Sequence, residues 1–234
     1  MTGMEKADGK SAQGFFNWAY KGRAKMIEKL KNGEEVSHDK LFLSFTTHNP
    51  AFVSNGSKGL NASIKGIGWV PKPELMPAVL EDYLKHIATY DPEDKTYSDR
   101  GLQVLYKHLY SDEAAKNIDF TLVTSLEMAF VHSWYNYIEN PEATLIFYQP
   151  PAISYELRGK MEIRGVRHAK EDPVDYKDLD IYQQFINAQH DMYHAPNVAR
   201  WKCRPAYVFK IEEIYNNGVG PDGFGKKLEF PINH

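Results

Sequence analysis

Apolar positions first recur at helical spacing in Phe16, Tyr20, Ile27 and Leu30, which share one side of a helix running from about Gln13 to Lys31 and stopped by Asn32-Gly33. Leu41-Phe42-Leu43-Ser44-Phe45-Thr46-Thr47 has strand composition, and His48-Asn49-Pro50 is turn chemistry. Ala51-Phe52-Val53 follows, so the pattern predicts a hairpin. Glycines and prolines punctuate residues 54–73, with weak strand signals around Ile64 to Val70. A helical insertion over about 74–110 comes next. Leu75, Val79, Tyr83 and Ile87 mark its first helix, with Pro77 tolerated in the opening turn. Leu102, Leu105, Tyr106 and Leu109 mark its second, with Ser98 or Asp99 as the expected cap.

Beyond residue 110 the pattern turns toward strands. Ile118 to Thr124 alternates, Leu126 to Glu139 reads as a helix ending before Asn140-Pro141, and Thr144 to Tyr148 is a continuous apolar strand. In the next strand Leu157, Met161 and Ile163 fall at odd numbers, while Glu156, Arg158, Lys160, Glu162 and Arg164 fall at even ones. Period two therefore collects the charges on one face. Asp175 to Asp191 is expected to be a helix with Leu179, Tyr182, Phe185, Ile186 and Gln189 inward. Ala206 to Ile211 is the last strand, ending near Tyr215 at the Asn216-Asn217-Gly218 turn. With at least five strands joined by turns or helices, the chain is expected to be α+β: an antiparallel sheet closed into a barrel, with flanking helices. A doubly wound parallel sheet ranks second.

The 234 residues suit a single domain spanning 1–234, burying roughly 70% of the unfolded chain's surface. A formal charge of −3 gives no global field for nucleic acid or an anionic membrane. No apolar run reaches the roughly 18 residues of a membrane span, and Met1 to Gly14 has no signal-peptide core. A lone Cys203 excludes an internal disulfide and fits a reducing compartment. The expectation is a cytoplasmic protein without nucleic-acid or membrane partners.

Candidate chemistry is sparse. His190 and His194 are one helical turn apart, as in H-E-x-x-H zinc enzymes, but Asp191 stands where those have glutamate, Pro196 ends the helix, and no third ligand stands out. Ser54 to Gly59 has the residue types of a phosphate cradle without Walker spacing, and neither G-x-G-x-x-G nor G-x-S-x-G occurs in a supporting context. Cys203, flanked by Lys202 and Arg204, would be a nucleophile only beside a histidine. Trp134, Tyr135 and Tyr137 beside His132 and Ser133 form the densest group of rings with hydrogen-bonding partners, the composition of a pocket for a flat ligand.

The run Val131-His132-Ser133-Trp134-Tyr135-Asn136-Tyr137-Ile138-Glu139-Asn140-Pro141-Glu142-Ala143-Thr144-Leu145-Ile146-Phe147-Tyr148, followed by Tyr155-Glu156-Leu157-Arg158-Gly159, resembles the pyridoxamine phosphate oxidase-like, FMN-binding split-barrel superfamily in order, spacing and the Glu-Asn-Pro step. The resemblance covers Phe120 to Gly159. It implies a split barrel and a homodimer holding FMN between subunits, with the phosphate near Thr124, Ser125, His132 and Ser133 and the flavin ring beside Trp134. Where the family places an Arg-Lys anchor, this chain has His132-Ser133, and Ser154 replaces a glutamine. Arg158, Lys160 and Arg164 would restore charge if their face looked toward the site, and are otherwise a solvated strand face. The family's C-terminal Arg-x-His motif has no counterpart, which argues against oxidation of pyridoxamine phosphate. The resemblance thus implies an FMN-dependent oxidoreductase-like protein of unassigned substrate. A flavin or haem binding or storage module of the same fold is the alternative, and a zinc hydrolase using His190 and His194 is the second.

Overall fold

The computed structural model describes residues 10–165, 178–194 and 204–230. Its helices are α1 (Gln13–Phe16), α2 (Gly22–Lys31), α3 (His38–Phe45), α4 (Met76–Ile87), α5 (Tyr97–Leu105), α6 (Asp112–Ala115), α7 (His132–Glu139) and α8 (Ile181–Tyr193). The strands are β1 (Ala51–Ser54), β2 (Asn61–Ile64), β3 (Leu122–Leu126), β4 (Glu142–Gln149), β5 (Ile153–Arg164), β6 (Ala206–Asn216) and β7 (Lys226–Leu228). A π-helical stretch, Asn17–Lys21, joins α1 to α2 without a break, so the expected helix from Gln13 to Lys31 is continuous. The fold is mixed α+β around one seven-stranded antiparallel sheet in the order β2-β1-β4-β5-β6-β3, with β7 on β6.

The sheet is not closed, which corrects the expectation of a closed barrel. Its edge strands, β2 and β3, are not hydrogen-bonded to each other. The chain leaving β2 crosses the gap, and Gly68 exchanges backbone bonds with Thr124 at 2.7 and 3.0 Å in an isolated bridge. The chirality of the strands curls the sheet without completing it.

Alternation decides which side chains enter the interior. In β5, Leu157, Gly159 and Met161 are buried while Arg158, Lys160 and Glu162 are exposed, as period two predicts. Gly159 sits at a register shift, and a Cβ there would lie 2.0 Å from the Lys210 carbonyl oxygen, so only glycine fits. Phe52, Leu145, Phe147, Leu157, Met161, Phe209 and Ile214 fill the interior. One end is closed by the first helix, where Phe15 meets Phe147 edge-on at 5.3 Å and Phe16 meets Phe120 at 5.1 Å. The other end is closed by α7, where Tyr137 meets Tyr207 at 5.3 Å.

Four local expectations are corrected. Residues His38–Phe45 form α3, so Leu41 to Thr47 is not a strand and makes no hairpin with β1. Both edges of β1 are taken, by β2 and by β4, which leaves no backbone groups for a third partner. Leu126 closes β3, and the helix expected from there begins only at His132. Strand β3 runs from Leu122 to Leu126, shifted forward of the expected Ile118 to Thr124. At α5 the N-cap position is Thr96, not Ser98 or Asp99. The Asp94 carboxylate accepts from the Thr96 N–H at 2.8 Å just before the helix. Helix α8 is capped by Asp180, whose carboxylate accepts from the N–H groups of Tyr182 and Gln183 at 2.9 and 3.3 Å. The segment expected to open that helix at Asp175, together with Pro196 and Cys203, lies outside the described residues.

Candidate functional site

The end of the interior beneath α7 is built from polar side chains. Strand β3 directs Ser125 inward, and Glu127, two residues on, follows the same side; both are buried. The Glu127 carboxylate accepts from the N–H groups of Ala129 and Phe130, both at 2.6 Å, and from the Tyr207 hydroxyl. These bonds hold the turn that swings the chain from β3 into α7, in which Phe130 takes a left-handed φ of 54°. A non-glycine residue there is strained by about 1 kcal/mol or more and persists only where its surroundings fix it. Arg204 secures the same turn by donating to the Met128 carbonyl at 2.6 Å.

Lys65 completes the group, with its Nζ 3.9 Å from Glu127 Oε2 and 5.5 Å from the centre of the Tyr207 ring. Burial pushes the Lys65 ammonium below its ordinary pKa, and the Glu127 charge opposes that shift only in part. Burial, with the Glu127 charge and hydrogen bond behind it, pushes the Tyr207 hydroxyl well above its ordinary range, so it stays a proton donor. Above this layer Asn136 donates to Ser54 Oγ at 3.2 Å and to the Gly59 carbonyl at 2.8 Å, and accepts from the Lys58 N–H at 3.0 Å. Its amide ties α7 to the β1–β2 turn.

The residues expected around a flavin do not converge within one subunit. Thr124 and Ser125 are neighbours in a strand and therefore face opposite sides; the Thr124 hydroxyl donates to the Gly68 carbonyl at 3.0 Å. Ser133 is buried against β2, accepting from Asn61 at 2.9 Å with Ser63 Oγ 3.3 Å away. Trp134 is half-buried, edge-on to Phe130 at 5.1 Å. His132 is exposed at the start of α7. Ser154, Arg158 and Lys160 lie on the outer face of β5, where Ser154 and Lys160, six residues apart, are separated by roughly 20 Å of strand. Arg158 pairs with Glu156 at 2.5 Å and lies over the Tyr215 ring at 4.4 Å, while Lys160 has Glu142 and Glu212 each at 3.9 Å. A phosphate placed at either cation would meet these carboxylates, so within one subunit the set does not fit the FMN phosphate. Arg164 pairs with Asp180 at 2.5 Å.

No family model and no curated protein matches the chain. Among solved structures it is similar to HupZ of Group A Streptococcus, at 10% identity and a TM-score of 0.40, over 83% of this chain and 100% of that one. A histidine-to-alanine variant of HupZ gives 11% identity and a TM-score of 0.36, over 79% and 100%. The likeness is one of general outline.

His190 and His194 have their rings 4.6 Å apart at the end of α8. Among the described residues no group of three metal-ligating side chains accompanies them. None of those residues forms a helix long and apolar enough to cross a membrane. No sequence motif singles out Lys65, Glu127 or Tyr207. The available signal was a glutamate directly following the apolar strand Leu122 to Leu126, a position where a charge must be paired if the strand is buried on both faces.

Proposed function

We propose that the protein is a binding module for a planar cofactor, and that haem suits its rim better than FMN. The observation that carries this reading is the exposed apolar strip along the turn and α7, where Met128 is 44% and Val131 52% exposed, with the imidazole of His132 beside them. Apolar surface with a single nitrogen ligand matches a flat, largely apolar macrocycle, whereas the cations assigned to a flavin phosphate are already matched by carboxylates. His132 would supply a nitrogen ligand, and Met128 and Val131 would give apolar contact. Haem, when bound, supplies the iron and its redox chemistry, while the chain supplies orientation and a dry face.

The test is titration of the purified chain with haem and, separately, with FMN, followed by absorption. A Soret shift that His132→Ala removes supports the reading. A chain whose spectrum responds to neither cofactor overturns it.

A flavin-holding homodimer is the second reading, favoured by a specific feature of the outer sheet face. Across β2, β1 and β4 the residues Ile64, Ala51 and Ile146 form one cross-strand row, and Ile64 is 68% exposed. Pairing this row with a second copy would bury it and bring another chain's residues toward the rim. Sedimentation showing a monomer at micromolar concentration, with no FMN retained, removes it.

A further inference from the structure

Three groups under α7 make a constellation that cofactor binding does not use. Lys65 is reachable, with 15% of its side chain exposed, yet it sits against a carboxylate that is 1% exposed and a tyrosine hydroxyl bonded to that carboxylate. A buried acid beside a partly buried amine is costly unless the pair is held for a purpose or closely matched, and at 3.9 Å this pair is not in hydrogen-bond contact. We propose that Lys65 is a reactive amine that condenses with small aldehydes, with Glu127 and Tyr207 moving the protons of the condensation.

The steps balance without an oxidant. The Nζ lone pair forms a bond to the carbonyl carbon, and Glu127 takes one proton from the nitrogen and delivers it to the former carbonyl oxygen, giving a neutral carbinolamine. Glu127, hydrogen-bonded to Tyr207, then takes the remaining N–H proton and passes it to the hydroxyl, which leaves as water while the nitrogen lone pair forms the C=N bond. An imine to Lys65 remains. Narrow access to Nζ restricts the substrate to small aldehydes. The same burial that lowers the Lys65 pKa enlarges its share of free amine relative to an exposed lysine, while carboxylates raise the pKa of exposed Lys85 and Lys116. These two lysines are internal references in the same chain.

The experiment treats the native full chain with propanal and cyanoborohydride at pH 7.5 and maps alkylated lysines by peptide mass over time. Lys65 is expected to react about tenfold faster than Lys85 and Lys116, because only the free amine attacks the carbonyl and burial favours that form at Lys65 alone. That advantage should vanish in urea. Glu127→Gln should slow Lys65 although it removes the one carboxylate that raises its pKa, which separates proton transfer from simple depression of the amine. Tyr207→Phe should slow it less. If Lys65 reacts no faster than the two references, or keeps its advantage in urea, the proposal fails; if Glu127→Gln speeds it, the assigned role of Glu127 fails. Neither reading depends on a bound cofactor, so these outcomes are distinct from the haem and FMN titrations.

Discussion

The two ends of the sheet interior solve the same problem with opposite chemistry. At the first helix, Phe15, Phe16, Tyr20, Trp69 and Phe120 interlock as rings, and the Tyr20 hydroxyl donates to the Leu109 carbonyl at 2.6 Å. At α7, Glu127, Asn136, Ser54 and Tyr207 close the barrel-like space with directed bonds. Rings tolerate small shifts because dispersion and hydrophobic burial have little directionality. A polar plug tolerates few, since each lost bond strands a buried partner. The aromatic end therefore contributes stability, and the polar end fixes positions, which is where a functional rim belongs.

That contrast can be broken by substitution. Phe16→Ala should have the largest effect, a loss of about 3–5 kcal/mol in urea unfolding, because it opens a cavity among rings that cannot collapse to fill it. Hydrogen exchange at residues 128–131 should stay unchanged in that variant. Glu127→Ala should cost about 3 kcal/mol, since it leaves two N–H groups and the Tyr207 hydroxyl without their acceptor and Lys65 without its opposite charge. Here exchange at residues 128–131 should accelerate. A loss below about 1 kcal/mol would mean that Glu127 does not hold the turn.

The acid limb of stability sharpens the comparison, because it belongs to neither plug. His48, between α3 and β1, is held by burial, with the Arg23 charge assisting, at a pKa of about 3 against the usual 6.5. The unfolded chain therefore takes up a proton that the folded chain refuses. Stability is full above pH 6.5 and falls as pH drops from there toward 3, by at most about 1.4 kcal/mol per unit. His48→Gln should flatten that limb in pH-dependent unfolding. The smallest effect is expected from Ser133→Ala, about 1 kcal/mol, because Asn61 and Ser63 are half-buried and water can replace part of what is lost.

Where one strong periodic signal governs a segment, the sequence was sufficient. The alternation in β5, the stripe Val79-Tyr83 in α4 and the Phe185-Ile186 face of α8 all point inward as read. Leu41 to Phe45 was not legible. Its composition favours a strand, yet the segment is a helix with Phe42, Leu43 and Phe45 outward and Ser44 buried, because pairing on β1 is decided by strands far along the chain. The candidate site is half legible: the ring-rich start of α7 adjoins the rim proposed for the cofactor, but the pattern places Glu127 in a helix and hides its part as the anchor of a turn.

Local pattern determined the class of the protein, the number of its long amphipathic helices and the inward residues of its central strands, because side-chain direction follows backbone period within a few residues. Only the tertiary structure decided that the sheet stays open, that Arg158 and Lys160 are matched by carboxylates, and that Lys65, Glu127 and Tyr207 meet. Those three residues lie 62 and 80 positions apart in successive pairs, and no periodicity carries information over that distance. Charge pairing is set by which strands become neighbours, and that choice belongs to the whole chain.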